Sequence, residues 1–230
     1  MIAMASGRPF LDYVLSGLAD AGLSEVCLVI GPEHEFIRRR YTAEAVPRRI
    51  RVSFAIQAEP LGTADAVRAA RLFADRGPFV VVNADNLYPV GALMALAALP
   101  GPGLVGFQPG PLVSQSNIPV DRIARFALVW TDELGRLRRI VEKPDPGELG
   151  DSALVSMNCW RFSPLIFDAC AAIGPSSRGE LELQDAVRYA IEHLGETFAV
   201  IPWAGGVLDL SGQADVGAVA ARLSGVEVAL

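Results

Sequence analysis

Residues 57–88 constrain the fold more than any other stretch, because they form one complete β-loop-α-β pattern. A Gly62-Thr63 turn opens an amphipathic helical segment, and a Gly-Pro pair then leads into the unbroken apolar run 79–82. A short, continuous apolar run is typical of a strand covered by helices on both faces. Asp85 follows where this strand ends, and ligands in open α/β sheets bind beyond the carboxyl ends of strands. We therefore expect Gln57 and Asp85 to face one crevice.

The rest of the chain repeats this rhythm. Strand-like and helix-like segments alternate over 230 residues, and 51% of the residues are hydrophobic, which predicts one large α/β domain with right-handed parallel crossovers. The Pro/Gly-rich stretch 100–111 could be a domain linker, but a strand-like segment at 103–108 lies within it and favours surface loops. Residues 126–141 predict a β-hairpin.

Composition narrows the class of protein. The net charge of −6 argues against a nucleic-acid partner, and the run Arg38 to Arg40 is most simply a solvated helix end. Three cysteines in apolar segments indicate buried thiols in a reducing compartment. No apolar run has the length of a membrane span, and the first ten residues lack a signal pattern. We expect a soluble, cytoplasmic protein without a membrane partner.

The segment 57–64, QAEPLGTA, combines an amide side chain with a glycine. The Gln57 amide can donate and accept hydrogen bonds at once, so it can read the edge of a nucleobase. Gly62 allows the backbone to approach a flat ring closely. The alternative is that Gly62 and Thr63 simply begin a helix.

Two acidic residues, Asp85 and Asp209, follow short apolar runs and are candidate metal ligands. A carboxylate at a strand end suits Mg²⁺, a hard cation that takes one or two carboxylates together with phosphate oxygens. The alternatives are an Asp-Asn turn at Asp85 and a buried or capping role for Asp209.

Lys143 is the only lysine among 20 basic residues. A compact ammonium group is not interchangeable with a planar guanidinium at a crowded phosphate. The lysine retained in the sequence Glu142-Lys143-Pro144 therefore indicates phosphate binding, with retention by chance as the alternative.

Together these segments resemble the sugar-nucleotidyltransferase (nucleotide-sugar pyrophosphorylase) family. The resemblance covers nearly the whole chain, through QAEPLGTADAV, FVVVNADN, RIVEKP, GELELQDAV and VLDLSGQADV. It implies a single-domain α/β fold over residues 1–230, built as a three-layer sandwich around a central mixed, mostly parallel sheet. It also implies the Mg²⁺-dependent reaction of an NTP with a sugar 1-phosphate to give an NDP-sugar and pyrophosphate.

The resemblance further implies roles for individual residues. Asp85 and Asp209 would hold the metal, and Asp85 with Lys143 would be the catalytic groups. The nucleotide would contact residues of the segment 57–64, namely Gln57, Pro60, Gly62 and Thr63. The sugar phosphate would contact Glu142, Lys143 and Asn158. Asn158 and Ala127 stand where the family usually has glycines that line the sugar pocket.

One departure from the family pattern is large. Family members open with a strand and a Gly-rich loop of the form GxGTR, followed by a lysine, and such loops are anion cradles. Only six residues precede Gly7, so we expect the first strand to be missing, two sheet edges to be unpaired and catalysis to be impaired. The retained Asp85, Asp209 and Lys143 favour a truncated enzyme over a degenerate paralogue.

Two other functions remain open. A non-catalytic nucleotide-sugar-binding or regulatory subunit would pair with a complete homologue, and an exposed sheet edge would also allow a homo-oligomer. A glycosyltransferase that uses an NDP-sugar donor would place two acids together as Asp-x-Asp, whereas residue 83 is Asn. A glutamine reader can serve uracil, thymine or guanine, and the sugar is equally open.

Overall fold

The computed structural model describes residues 2, 4, 7–74, 77–144 and 153–230, which form alternating strands and helices. The helices are α1 Phe10–Asp20, α2 Glu35–Arg39, α3 Thr63–Ala69, α4 Arg71–Ala74, α5 Val90–Ala97, α6 Pro109–Gln115, α7 Ile166–Ala172, α8 Leu183–Leu194 and α9 Val216–Arg222. The strands are β1 Glu25–Ile30, β2 Arg51–Ile56, β3 Phe79–Val81, β4 Asn86–Leu87, β5 Gly103–Phe107, β6 Ala127–Thr131, β7 Leu137–Val141, β8 Leu154–Phe162, β9 Ala199–Trp203 and β10 Leu208–Asp209. Short 3₁₀ segments cover Pro32–His34, Val120–Arg125 and Gln213–Asp215, and a π-helical turn covers Arg40–Glu44.

The long strand β8 organises the central sheet. This sheet has six strands in the order β7-β6-β8-β5-β9, with β3 also paired to β8. β5 follows one edge of β8, while β6 and β3 share the other edge, at residues 154–156 and 160–162 respectively. Asn158 lies between these two stretches, in the left-handed region with φ 54°. The sheet is therefore open at Asn158, between the end of β3 and the start of β6.

The expectation of a mixed sheet is confirmed, and four of its six described strands, β3, β5, β6 and β9, run in one direction. β8 runs antiparallel to β3, β5 and β6, and β6 and β7 form the antiparallel hairpin expected from the sequence. Within the six-stranded sheet of the described residues, only β5 and β9 pair in parallel. The cause is β8, which inserts between β5 and β6 and runs opposite to each of its neighbours.

Helices cover both faces of the sheet, so the three-layer architecture is confirmed. Side chains of β8 alternate between two apolar clusters: Val155 and Met157 pack with α1 and α5, whereas Trp160 and Phe162 pack with α3, α7 and α8. The strand-like segment at 103–108, within the Pro/Gly-rich stretch 100–111, is confirmed as β5, but its five residues are all buried, so the expectation of surface loops is wrong for this part. Burial on both sheet faces thus outweighs the local Pro/Gly signal at this strand.

An open slot separates β1 from β3. In the described part of the chain, β1 pairs only with β2 and β3 pairs only with β8, so one edge of each is unpaired. Between them lies a cavity of about 720 Å³, lined by both strands and by residues of α1 and α3. Because α1 and α3 belong to opposite faces, the slot lies in the plane of a sheet. The expected unpaired edges of two strands therefore both border this cavity.

A buried ion pair fastens the segment after β1 to α1. The carboxylate of Asp12 is fully buried and accepts hydrogen bonds from Arg40 Nη2 at 2.6 Å and from the Tyr41 hydroxyl at 2.8 Å. The expectation of a solvated helix end is therefore wrong for Arg40, whose side chain is 22% exposed. Burial, followed by the bond to Asp12, raises the pKa of Tyr41 well above its ordinary value. The neutral phenol of Tyr41 and the guanidinium of Arg40 therefore both bind the carboxylate of Asp12.

The cysteines and the helices bear on two expectations from composition, buried thiols and the absence of a membrane span. Cys159 and Cys170 are buried thiols as expected, while Cys27 is half-buried, and none of the three forms a disulfide in the described structure. Among the described helices, none combines the length and the apolar character needed to span a bilayer.

The first prediction concerns Asp12. We expect D12A to lower the free energy of unfolding by about 3 kcal/mol, since it leaves the half-buried Arg40 and the Tyr41 hydroxyl without their partner. The matched control is E25Q, which breaks the solvent-exposed pair of Glu25 with Arg51 and should cost less than about 1 kcal/mol. Urea unfolding of both variants gives the comparison, and equal losses would contradict the special role of the buried pair.

Candidate functional site

The candidate site lies at the opening of the sheet beside Asn158. A cavity of about 130 Å³ occupies this opening, between the residues that follow β3 and the start of β6. Its walls are mostly polar, and they are formed by Asn83, Asn86, Arg125, Phe126, Ala127, Glu142, Ser156, Met157, Asn158 and Gln184. Residues from five separate parts of the sequence thus converge on one small chamber.

Asp209 lies on β10, and Asp85 directly precedes β4, the partner strand of β10, next to this chamber. β4 and β10 pair antiparallel with Asn86 opposite Asp209, and the Leu210 amide donates to the Asp85 carbonyl at 2.8 Å. Asp85 is exposed, yet the protein atoms that surround its carboxyl raise its pKa, and the negative charge of Asp209 raises it further. The two candidate metal ligands are therefore brought together, as the sequence predicts.

Several side chains fix the carboxylate of Asp209, which is only 2% exposed. Asn86 Nδ2 donates to Oδ1 at 3.0 Å, and the Ser211 hydroxyl lies 2.8 Å from Oδ1 and 2.9 Å from Oδ2. Asn117 binds both backbone groups of Asp209, donating to its carbonyl and accepting from its amide. These bonds hold the carboxylate in one orientation.

Arg122 is the charged partner of Asp209. Its Nη1 lies 3.1 Å from Asp209 Oδ2, and its Nη2 lies 2.8 Å from Asp215 Oδ1. Hydrogen bonds to Asp215 and then to Asp209 raise the pKa of Arg122, so the guanidinium remains charged. Sequence analysis missed this residue, because the 3₁₀ segment 120–125 shows no periodic pattern that marks it.

The donor set of this site fits a hard divalent cation. Asp209 on β10 and Asp85 at the start of β4, flanked by the amides of Asn83 and Asn86, supply the oxygen ligands that Mg²⁺ prefers, and water and phosphate oxygens would complete the shell. The described residues contain no cluster of three or more His, Cys, Asp or Glu side chains that could hold a metal unaided. The protein ligands would therefore depend on water and a bound phosphate for a full coordination shell.

Glu142 and Asn158, both expected to contact the sugar phosphate, line the chamber together. Burial raises the pKa of Glu142, while Arg178, 3.8 Å from its Oε1, opposes that rise. Asn158 Oδ1 accepts hydrogen bonds from Gln184 Nε2 at 3.3 Å and from Trp160 Nε1 at 3.4 Å. Its backbone holds a left-handed conformation that suits glycine better than asparagine, which costs of order 1 kcal/mol.

Ser156 and Gln184 are chamber residues that sequence analysis missed. Ser156 is 3% exposed, and its hydroxyl has no hydrogen-bond partner among the described residues. An unpaired polar group at such a buried position is costly, and it faces a chamber in which a ligand could pair it. The available signal was the polar residue inside the otherwise apolar alternation of β8, and a glutamine in the first turn of α8.

Lys143 lies beyond Glu142, on the outer side of the chamber. It is exposed, and its backbone is left-handed with φ 46°. Its positive charge acts on Glu142 and on the buried Glu182. Lys143 therefore lies next to a chamber residue, Glu142, but is not itself part of the chamber lining.

The segment expected to bind the nucleotide forms a loop between β2 and α3. Gln57 Nε2 donates to the Gly62 carbonyl at 3.0 Å and to Asp65 Oδ2 at 3.1 Å, so a base donor would meet the amide oxygen. Gly62 has φ 124°, and a Cβ there would lie 2.5 Å from the Leu181 carbonyl oxygen. The Thr63 hydroxyl accepts from the Leu183 amide at 2.9 Å. Gly62 and Thr63 therefore also serve the fold, while Pro60 is exposed.

Curated relatives of this chain are nucleotidyltransferases. It is 28% identical over 190 residues to the low-salt glycan biosynthesis nucleotidyltransferase Agl11 of Haloferax volcanii, covering 81% of this chain and 50% of the relative. It is 26% identical to the UTP–glucose-1-phosphate uridylyltransferase AglF of the same organism, covering 89% and 79%. It is 30% identical to the glucose-1-phosphate thymidylyltransferase of Streptomyces griseus, covering 81% and 50%. The chain thus spans about half the length of two of these three relatives.

A solved structure matches the fold of this chain, and a family profile matches its sequence. A crystal structure of UDP-glucose pyrophosphorylase complexed with UDP-glucose superimposes with a TM-score of 0.77 at 15% identity, over 97% of this chain and 89% of the other. A sequence profile described as nucleotidyl transferase matches residues 1–220. With that match extending over the paired aspartates and the chamber beside them, the chain belongs to the nucleotidyl transferase family.

Proposed function

We propose that this protein is a sugar-phosphate nucleotidyltransferase, which joins an NTP and a sugar 1-phosphate into an NDP-sugar and releases pyrophosphate. The observation that carries the proposal is the position of Asp85 at the start of β4 and of Asp209 on the partner strand β10, beside a polar chamber lined by Glu142 and Asn158. One carboxylate pair next to one small polar chamber suits a metal-bound phosphate chain next to a sugar. The names of the relatives support the same reaction class. We expect the protein to act in the cytoplasm.

Each part of the site has a role in this reaction. Asp85 and Asp209 would hold Mg²⁺, which when bound neutralises charge on the phosphate oxygens. The loop at Gln57 would receive the base through the glutamine amide oxygen. Glu142, Asn158 and Ser156 would hold the sugar hydroxyls, and Lys143 would approach the sugar phosphate from outside the chamber. An in-line attack on the α-phosphorus then needs positioning and charge neutralisation, without a covalent protein intermediate.

The open slot leads to the same site. Its lining runs from Gly22 and Ser24 along β1 and β3 to Asn83 and Ala84, next to Asp85. We therefore propose that a strand seated in the slot pairs with both free edges and delivers the glycine-rich anion cradle typical of the family to the phosphates.

The second prediction tests the reaction itself. A chain extended at its N-terminus by the strand and glycine-rich loop typical of the family should release pyrophosphate from UTP or dTTP with glucose 1-phosphate and Mg²⁺. D85N in this extended chain should lower kcat by at least about 100-fold, because it removes a metal ligand and its charge. The extended chain should also melt at a higher temperature, since the strand covers two edges and the apolar slot.

One result would contradict the proposed transferase, and another would contradict the proposed strand site. If the extended chain shows no turnover with any of the four NTPs and several sugar 1-phosphates, the transferase function is excluded. Tight NDP-sugar binding by such an inactive chain would instead identify a non-catalytic nucleotide-sugar-binding subunit. A melting temperature unchanged by the extension would show that the slot is not a strand site.

The third prediction concerns the unpaired hydroxyl of Ser156. S156A in the extended chain should raise the KM for glucose 1-phosphate by about tenfold, the value of one hydrogen bond in a buried site. Thermal stability should stay equal or increase, because the substitution removes a buried hydroxyl without a partner in the described structure. The matched control is S163A, which removes the hydroxyl paired with Glu196 far from the chamber. A fall in stability together with an unchanged KM would contradict a ligand-binding role.

The fourth prediction follows from the raised pKa of Glu142. The ionised carboxylate is a stronger acceptor of hydrogen bonds from sugar hydroxyls than the neutral acid, so the KM for glucose 1-phosphate should rise as the pH falls through this raised pKa. The substrate phosphate titrates as well, but it does so identically with E142Q. The KM ratio of E142Q to the unmodified enzyme should therefore shrink toward acidic pH. A pH-independent ratio would place Glu142 outside sugar recognition.

A further inference from the structure

Arg122 is the cation that neutralises Asp209 in this structure. Its guanidinium bridges two carboxylates that are almost fully enclosed, with Nη1 3.1 Å from Asp209 Oδ2 and Nη2 2.8 Å from Asp215 Oδ1. The side chains of Asp209 and Asp215 are 2% and 8% exposed, and that of Arg122 is 21% exposed. A buried carboxylate pair needs such a counter-charge.

The bridge occupies a position that bears on metal binding. A carboxylate offers about four lone-pair positions, and on Asp209 these already face Asn86, Ser211 and Arg122. A divalent cation that binds Oδ2 directly would enter the position of Arg122 and would meet a positive charge at close range. The metal and the guanidinium therefore compete for one oxygen.

Asp215 gives the guanidinium a second anchor. Asp215 accepts from the Gly212 amide through Oδ2 while Oδ1 holds Arg122, so its position is fixed by the loop after β10. An arginine that releases Asp209 can thus remain paired to Asp215, beside the metal site. Its free N–H groups then face the region where phosphate oxygens would complete the coordination shell.

We propose that Arg122 is a built-in counter-ion that competes with the divalent metal for Asp209 and thereby sets the metal affinity of the site. The proposal rests on the proposed function, which assigns Asp85 and Asp209 as metal ligands. The opposite role is also physically reasonable: an arginine that orients Asp209 would strengthen metal binding. The two roles predict opposite effects of removing the guanidinium.

The experiment measures Mn²⁺ binding to the 230-residue chain by isothermal titration and by electron paramagnetic resonance, so no turnover is required. R122Q should bind Mn²⁺ at least tenfold more tightly than the unmodified chain. R122K should lie between the two, because one ammonium group cannot bridge both carboxylates as the planar fork does. The matched control is R138Q, which makes the same charge change on the exposed side of β7 and should leave the affinity unchanged.

The outcomes separate this proposal from the proposed function. If D85N and D209N bind Mn²⁺ as well as the unmodified chain, the metal pair itself is wrong. If binding requires both aspartates but R122Q binds no more tightly than the unmodified chain, the metal pair stands and the competition by Arg122 is excluded. Weaker binding by R122Q would identify the arginine as a support of Asp209.

Thermal unfolding shows whether a change in Mn²⁺ affinity results from a folding defect of the variant. Without Mn²⁺, R122Q should melt at a lower temperature, since two enclosed carboxylates have lost their counter-charge. Saturating Mn²⁺ should raise its melting temperature by more than it raises that of the unmodified chain, because the metal supplies the missing charge. If R122Q does not fold, the R122K comparison decides: an affinity equal to or weaker than that of the unmodified chain overturns the proposal.

Discussion

The pairing of one edge of β8 with two different strands is the constraint on which the rest of this structure depends. β8 gives its first three residues to β6 and its last three to β3, and the left-handed Asn158 interrupts the ladder between them. Neither β3 nor β6 continues past that point, so the chamber is a gap in the hydrogen-bonding pattern of the sheet. Polar side chains line it because the backbone around it is only partly paired.

The acidic residues near this gap lie in two different environments. On one side, Asp209 and Asp215 are enclosed and held by a single guanidinium. On the other side, Asp85 is exposed and has a raised pKa, because its neighbours and Asp209 disfavour its ionised form. An excess of negative charge at this strand end favours the arrival of a cation, and a cation in turn favours a phosphate chain.

Sequence reasoning located the parts of this site that lie where strands end. Asp85 and Asp209 follow short apolar runs, and the structure pairs their strands. It missed Arg122, because this residue lies in a segment without periodicity and its partner Asp209 is 87 residues away. It missed Ser156 because alternation along β8 marks the position only as inward-facing. It also missed the antiparallel direction of β8, since strand direction depends on long-range pairing that local patterns do not encode.

The close packing of Gly62 against Leu181 joins two regions to which we assign different halves of a nucleotide sugar. Leu181 donates to the Leu61 carbonyl and accepts from the Ala64 amide, and Thr63 caps Leu183, which is followed at once by Gln184 in the chamber wall. The loop at Gln57 and the first turn of α8 are therefore fastened to each other by three hydrogen bonds. If the loop receives the base, as we propose, a displacement of the loop would be transmitted to Gln184 in the chamber wall.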